Sequence, residues 1–288
     1  MNVLVLGGTK YLGIHMVKAL LQNGHDVTIA TRGRAKDNFG ERVHRVVIER
    51  TDRESMAKAF GGNAFDVACD NLACCSNDVK NALDAINCKR YVMTSSASVY
   101  DLHINTMEKD FDPLKKQLKW CDRSGYPYQE LKQLAECALF QAYSSQNGVA
   151  VRFPFVIGTD DYTKRLYFYV EHIVKRIPMF IDDMNARMSF VSSSEAGRFL
   201  AFLAEQEYTG VINGSNGGTI SLNEIIGYVE EKTKKHAILS KNGESAPYNG
   251  GADYSLNTEL ASKLGFQFSP VQSFLYDILN EFIEVAKF

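Results

Sequence analysis

A tyrosine and a lysine four residues apart open one segment of this chain: Tyr126-Pro127-Tyr128-Gln129-Glu130-Leu131-Lys132. Upstream lies an apolar run that ends in hydroxyls, Arg90-Tyr91-Val92-Met93-Thr94-Ser95-Ser96-Ala97-Ser98-Val99-Tyr100. On a helix, Tyr128 and Lys132 share a face. A free phenol, with a pKa of about 10, is a poor base at neutral pH. A neighbouring cation favours the phenolate. A tyrosine so placed can pass a proton to or from a substrate hydroxyl. A serine at the strand end, Ser96, can hold the same oxygen. Spacing alone carries little, since Tyr228 and Lys232 repeat it in what reads as an ordinary amphipathic helix. Position singles out the first pair.

The chain begins with the partner such a site needs. Asn2 to Leu6 is an apolar run that leads into Gly7-Gly8-Thr9-Lys10-Tyr11-Leu12-Gly13, then into Ile14, Met16, Val17, Leu20 and Leu21 at helical spacing. Strand, glycine turn and helix in that order form a phosphate-binding unit. Glycine lets a pyrophosphate approach the backbone, and the helix N-terminus offers free N–H groups and a partial positive charge. A second strand follows at Asp26 to Ala30. Lys10 replaces the middle glycine of the dinucleotide fingerprint, and there is no G-K-S/T ending of an ATPase loop. With a nicotinamide as hydride partner, the tyrosine's proton would move as hydride moves. The second strand ends in Ala30-Thr31-Arg32-Gly33-Arg34, without the carboxylate that holds the ribose 2′-hydroxyl of NAD. Lys10 and Arg32 could face a 2′-phosphate, so NADP is the expected cofactor, with NAD left open.

The elements that must hold these residues alternate. Strands are expected at 2–6, 26–31, 43–48, 66–70, 90–95 and 148–153, and helices at 12–23, 53–60, 77–86 and 127–145. This rhythm predicts an α/β fold: a Rossmann-type doubly wound parallel sheet, with ligand across the carboxyl ends of its strands. Residues 1–158 form the expected dinucleotide-binding domain. After Gly158 the rhythm breaks. Helices are expected at 162–176, 194–205, 221–235 and 271–286, strands at 187–191 and 210–213, and a loop at 242–251. Residues 159–288 read as a smaller C-terminal α+β substrate lobe, with segments near 187–215 returning to the first domain.

The 288 residues carry a net charge of −2, with 45% hydrophobic and 23% charged residues. That balance gives no global attraction to nucleic acid or an anionic membrane surface. No apolar run reaches the roughly 20 residues of a membrane span. The first strand starts at residue 2, and the six cysteines (69, 74, 75, 88, 121, 137) contain no C-x-x-C pair. The expectation is a cytoplasmic protein with no leader and with reduced, structural thiols. Cys74-Cys75 could also touch a cofactor. No metal site is expected, because the six histidines form no ligand-spaced cluster.

With these motifs quoted, the chain resembles the extended short-chain dehydrogenase/reductases, in particular their NAD-dependent epimerase/dehydratase branch. Ser95-Ser96-Ala97-Ser98-Val99-Tyr100 is similar to its S-S-x-x-V-Y segment, which implies Ser96 as the catalytic hydroxyl. The resemblance implies Tyr128 as acid/base and Lys132 as the grip on the nicotinamide ribose. Arg152-Phe153-Pro154-Phe155-Val156-Ile157-Gly158 resembles R-x-x-x-V-x-G, so Phe153, Pro154 and Phe155 are expected beside the nicotinamide. Asp52 and Arg53 resemble the acidic spot near adenine. Asn71, Leu72 and Ala73 resemble the cofactor-lining segment after strand four, and Thr94 is expected beside them. Gly7, Thr9, Lys10, Tyr11, Leu12 and Gly13 are expected on the diphosphate, with Arg32 at the ribose. Arg165, Arg187 and Lys164 are candidate phosphate contacts in the second lobe.

The implied activity is an epimerase or oxidoreductase acting on a hydroxyl-bearing carbon, of a sugar nucleotide or similar metabolite. Epimerisation requires hydride removal, rotation of a keto intermediate and hydride return; net reduction stops halfway. The resemblance also implies a homodimer. Ala97 and Ser98 stand where dehydratases carry Asp-Glu, which disfavours 4,6-dehydration. The glycine turn itself is similar to G-G-T-[RK]-[FY]-[IL]-G of an atypical subgroup that includes chloroplast stem-loop-binding proteins. A rival reading is therefore a catalytically silent nucleotide-binding regulatory or RNA-binding protein of the same fold.

Overall fold

A computed structural model describes residues 1–288. The first half alternates β1 (Asn2–Leu6), α1 (Leu12–Gln22), β2 (Asp26–Thr31), β3 (His44–Val47), α2 (Arg53–Phe60), β4 (Ala64–Asp70), α3 (Ser76–Ala85), β5 (Asn87–Ser96), α4 (Tyr128–Cys137) and β6 (Asn147–Phe153). The second half adds β7 (Phe155–Ile157), α5 (Arg165–Lys175), β8 (Met179–Phe180), β9 (Arg187–Met188), β10 (Phe190–Ser192), α6 (Ser193–Glu205), β11 (Gly210–Asn213), β12 (Ile220–Ser221), α7 (Leu222–Thr233), β13 (Glu244–Ser245), α8 (Glu259–Lys263) and α9 (Gln272–Ala286).

Seven strands form one sheet in the order β11-β6-β5-β4-β1-β2-β3, every pair parallel. Such strands are covered on both faces and read as continuous apolar runs. Alternation divides β1 between the two layers: Val3 and Val5 pack under α1 and α6, while Leu4 and Leu6 pack against α2 and α3 residues such as Met56 and Val79. Strand order reverses between β1 and β4, where α/β sheets leave a crevice at their carboxyl ends.

The predicted helix over 127–145 is shorter as an α-helix. It runs from Tyr128 to Cys137 and continues as a π-turn over Ala138–Ala142. The strand expected at 187–191 is split into β9 and β10, which join different partners, β12 and β7. The expected loop at 242–251 contains the short strand β13, paired with β8. From the second half, β11 extends the main sheet beside β6 and α6 packs on α1. A separate core gathers α5, α7 and α9 around Tyr169, Ile225 and Leu279.

Candidate active site

The glycine turn sits at the reversal. Gly7 holds φ +87°, and a Cβ on Gly13 would stand 2.2 Å from the Gly7 carbonyl oxygen. Both positions therefore need glycine. Lys10 occupies the place of the fingerprint's middle glycine, yet the left-handed backbone falls on the next residue, Tyr11, at φ 55°. That strain is held by tertiary contacts. The Tyr11 hydroxyl donates to the Val156 carbonyl, and its ring meets Tyr162 edge-on at 5.9 Å. Burial, with the Asp161 charge behind it, pushes the Tyr11 phenol far up, so it stays a neutral donor. No side chain caps α1 at its N-terminus; the Gly13 and Ile14 amides turn back to the Lys10 and Tyr11 carbonyls at 3.1 and 3.0 Å, so the helix end offers an anionic ligand its partial positive charge rather than a full set of free amides.

Asn71 ties this turn to the end of β5. Its Nδ2 donates to the Gly7 carbonyl at 3.4 Å, and its Oδ1 accepts from Thr94 Oγ1 at 2.8 Å. Lys132, only 6% exposed, donates from Nζ to the carbonyls of Ala73 at 2.7 Å and Thr94 at 3.0 Å. Those two acceptors leave one of its three protons unassigned. Lys132 Nζ lies 5.9 Å from the centre of the Tyr128 ring. Tyr128 itself is the first residue of α4 and is 54% exposed. Ser96 ends β5, with its Oγ accepting the Ser98 N–H at 3.1 Å. The Ser98 hydroxyl is buried without a partner.

A single cleft of about 910 Å³ brings these groups together. Its walls include Gly7, Thr9, Lys10, Tyr11, Leu12, Gly13, Arg32, Asn71, Leu72, Thr94, Ser96, Tyr128, Lys132, Phe153, Pro154 and Phe155. Three expected residues stand elsewhere. Asp52 caps α2, accepting the N–H groups of Glu54 and Ser55 at 2.9 and 3.2 Å, which commits its carboxylate to the helix end. Arg53 points to the surface, 3.5 Å from Asp84. Ala73 lies behind the wall, where its carbonyl holds Lys132. From this segment it is Ile48, Glu49 and Arg50 that line the cleft.

Arg50 was not legible as a site residue. It is 4% exposed and donates to Asp70 Oδ1 and the Asp78 carbonyl, both at 2.7 Å. Burial acts to raise Asp70, but the Arg50 charge and hydrogen bonds outweigh it and hold the carboxyl below its ordinary range. Arg34, Arg123, Tyr162 and Tyr254 are further wall residues without a motif of their own, each on a loop; Tyr162, expected to open a helix, lies on the turn before α5, which starts at Arg165. Besides Lys132, six cations line the cleft, Lys10, Arg32, Arg34, Arg50, Arg123 and Arg165, against the one carboxylate of Glu49. Arg50 and Arg123 are paired with Asp70 and Asp78 behind the wall, so the positive excess at the cleft rests on Lys10, Arg32, Arg34, Arg165 and Lys132.

Of the three candidate phosphate contacts in the second lobe, only Arg165 lines the cleft. Arg187 is held by Glu224 at 2.7 Å and by Thr219. Lys164 lies over the Tyr167 ring at 5.5 Å. The decoy pair keeps its contact, with Lys232 Nζ 5.3 Å from the Tyr228 ring centre, but stands outside the cleft: Tyr228 donates to Asn280 and packs on Tyr276 against the core of the second half. All six cysteines are free, and burial pushes the thiols of Cys69 and Cys75 up to about 12. No helix is long and apolar enough to cross a membrane.

A model of the NAD dependent epimerase/dehydratase family matches residues 3–215. This chain belongs to that family. The match takes in the glycine turn, the β5 hydroxyls, the Tyr128/Lys132 helix and β11. Among curated proteins, vestitone reductase of Medicago sativa is 24% identical across 99% of this chain and 97% of its own length. A chloroplast stem-loop binding protein of 41 kDa from Arabidopsis thaliana is 28% identical, over 34% of this chain and 30% of its own length. The fold of this family member matches UDP-glucose 4-epimerase from Thermotoga maritima, solved with UDP-glucose, at a TM-score of 0.76 and 17% identity, over 99% and 98% of the two chains. The Thermus thermophilus UDP-glucose 4-epimerase complex with NAD gives a TM-score of 0.71 at 17% identity, over 98% and 99%.

Proposed function

We propose that this protein is an NADP- or NAD-dependent epimerase or reductase acting on a hydroxyl-bearing carbon of a sugar nucleotide or similar metabolite. One observation carries the reading: Ser96, Tyr128 and Lys132 open into the same cleft as the glycine turn. The cleft fits a dinucleotide on its own terms. Gly13 has no room for a Cβ, α1 has no side-chain cap, and the walls are cationic. Residues 7–13 would hold the diphosphate, Arg32 the adenosine ribose, Lys132 the nicotinamide ribose, and Phe153 to Phe155 would flank the ring. The bound nicotinamide supplies a hydride acceptor or donor.

The chain's own groups would do the rest. Ser96 Oγ would hold the substrate oxygen. Tyr128 Oη would take or return its proton, with the Lys132 ammonium 5.9 Å from the ring centre to offset charge that develops there during the transfer. Lys132 is fixed by two carbonyls, so its charge needs little rearrangement during the reaction. Arg165 would meet an anionic group of the substrate from the second lobe. The cations at the end of β2, Arg32 and Arg34, with no carboxylate between them, favour NADP over NAD. In this reading residues 1–158, with the returning strands near 187–215, hold the cofactor, and 159–288 hold the substrate.

The test is to titrate the purified chain with NADPH and NADH, then to follow UDP-hexoses with the preferred cofactor by absorbance and NMR. Binding of at least one nucleotide in the micromolar range, and turnover lost in Tyr128→Phe, are expected. Absence of affinity for both would overturn the reading. A parent chain that binds nucleotide but turns over no UDP-hexose, with Tyr128→Phe binding the nucleotide equally well, would favour the silent binding protein suggested by the stem-loop binding relative.

A further inference from the structure

The crossover from β5 to α4 turns back from the substrate side and docks on the N-terminus of α3. Ser76 Oγ accepts the Cys121 N–H and donates to the Lys119 carbonyl, both at 2.8 Å. The Asn77 amide donates to the Cys121 carbonyl at 3.2 Å, and its side chain to Asp122 at 2.9 Å. Arg123 completes the clasp. Its Nε donates to Asp78 Oδ2 at 2.9 Å and Oδ1 at 3.3 Å, and its Nη2 to the Leu72 carbonyl at 2.9 Å. Asp78 is 2% exposed and takes a second donor, the Cys74 N–H, at 2.8 Å, with Arg50 Nε 3.5 Å away.

Arg123 is thereby anchored at one edge and open at the other. Its side chain is 44% exposed, it lines the cleft with Leu72 and Arg32, and its Nη1 makes no hydrogen bond within the chain. A guanidinium fixed by a buried carboxylate has already lost most of its rotamer freedom, so little more is lost on meeting a ligand. Its planar fork suits phosphate oxygens and stacks on aromatic rings. Both halves of a dinucleotide carry a phosphate, but the oxidised nicotinamide ring is cationic and repels a guanidinium, whereas adenine offers a neutral face; through Asp78, Arg123 also neighbours Arg50, which follows β3 at the adenosine end of the expected site. Tyr128 follows five residues later.

Resting on the nucleotide reading above, we propose that Arg123 reads the adenosine-phosphate half of the cofactor and, through residues 119–127, couples cofactor binding to the placement of Tyr128. Arg123 is a binding residue for the cofactor and a positioning residue for the tyrosine. Residues 71–74 are the shared wall: Arg123 holds Leu72, and Lys132 holds Ala73.

The experiment compares the parent chain with Arg123→Gln and Arg123→Lys, using NADPH, ADP-ribose and nicotinamide mononucleotide as probes. Loss of a charge-assisted hydrogen bond should weaken NADPH and ADP-ribose about tenfold or more in Arg123→Gln, with nicotinamide mononucleotide unchanged and partial recovery in Arg123→Lys. A clasp with only a structural role would weaken all three probes alike or none, and either result overturns the proposal. Amide hydrogen exchange separates this from the broader reading. In the parent chain, NADPH should protect both residues 7–13 and 119–128; in Arg123→Gln, only 7–13. Protection of 7–13 without 119–128 in the parent chain overturns the coupling and leaves the nucleotide reading standing. Protection of neither removes both.

Discussion

Arg152 and Glu136 form an ion pair with no solvent exposure on either side chain, its contacts running from 2.5 to 3.2 Å. Glu136 lies on α4 at the same helical register as Tyr128 and Lys132, eight and four residues earlier. It also accepts the Ser95 hydroxyl at 2.5 Å, while Arg152 donates to the Tyr100 hydroxyl at 2.8 Å. The pair therefore joins β6, the end of β5 and the helix that carries Tyr128. Removing one partner would leave a buried charge alone. Glu136→Gln should cost about 3–5 kcal/mol of stability, read from urea unfolding. A loss under about 1 kcal/mol would show that the network is not what fixes α4.

Tyr128→Phe keeps the ring and removes the proton. Turnover should fall by a factor of about 10² to 10⁴, while the dissociation constant for the cofactor stays within about twofold. Tyr228→Phe, at the same spacing from a lysine but in another core, should leave turnover unchanged. Equal effects of the two substitutions would separate chemistry from the 128 position.

Gly13→Ala introduces a methyl 2.2 Å from a backbone oxygen, and that oxygen cannot swing aside as a side chain would. The turn must open, and with it the diphosphate cradle. The thermal stabilisation that NADPH gives the parent chain should disappear in the variant, in a differential scanning measurement. A variant that retains the ligand-dependent rise in melting temperature would place the diphosphate elsewhere.

Arg32→Ala tests cofactor choice. Loss of one charge-assisted contact to a 2′-phosphate should raise the NADPH dissociation constant about tenfold and leave NADH within about twofold. Isothermal titration of both nucleotides decides. Equal weakening of the two would assign Arg32 to the shared part of the dinucleotide.

Asp70 gives a pH signature. Burial opposes its ionisation, but Arg50 and the Tyr91 hydroxyl at 2.6 Å hold its pKa below the ordinary value. A carboxyl depressed in the folded state stabilises the fold fully above its unfolded pKa of about 3.9. That contribution fades as pH falls from about 5 through the folded-state pKa. Asp70→Asn should lower stability at pH 7, since Arg50 is left buried beside a neutral amide, and should flatten the loss below about pH 4. Unfolding midpoints measured from pH 7 to pH 3 test it. Parallel curves for the two proteins would mean that Asp70 is not what titrates.

The chain's local chemistry fixed the strands, the glycine turn and the Tyr128/Lys132 helix. β1, β2, α2 and α9 follow directly from apolar runs and helical spacing, because each depends on residues near in sequence. Strand 187–191 was legible as extended, but its division between two partners was not, since pairing depends on what lies beside it. The same limit governed the site. Gly7, Ser96, Tyr128 and Lys132 carry local signatures. Arg50 and Arg123 carry none, because their place in the cleft is set by Asp70 and Asp78, 20 and 45 residues away in the chain. Asp52 shows the converse: its carboxylate matched a motif, yet two amides of its own helix hold it outside the cleft. Residue type and spacing determine which groups can do chemistry, while the packing of distant segments decides which of them reach the same space.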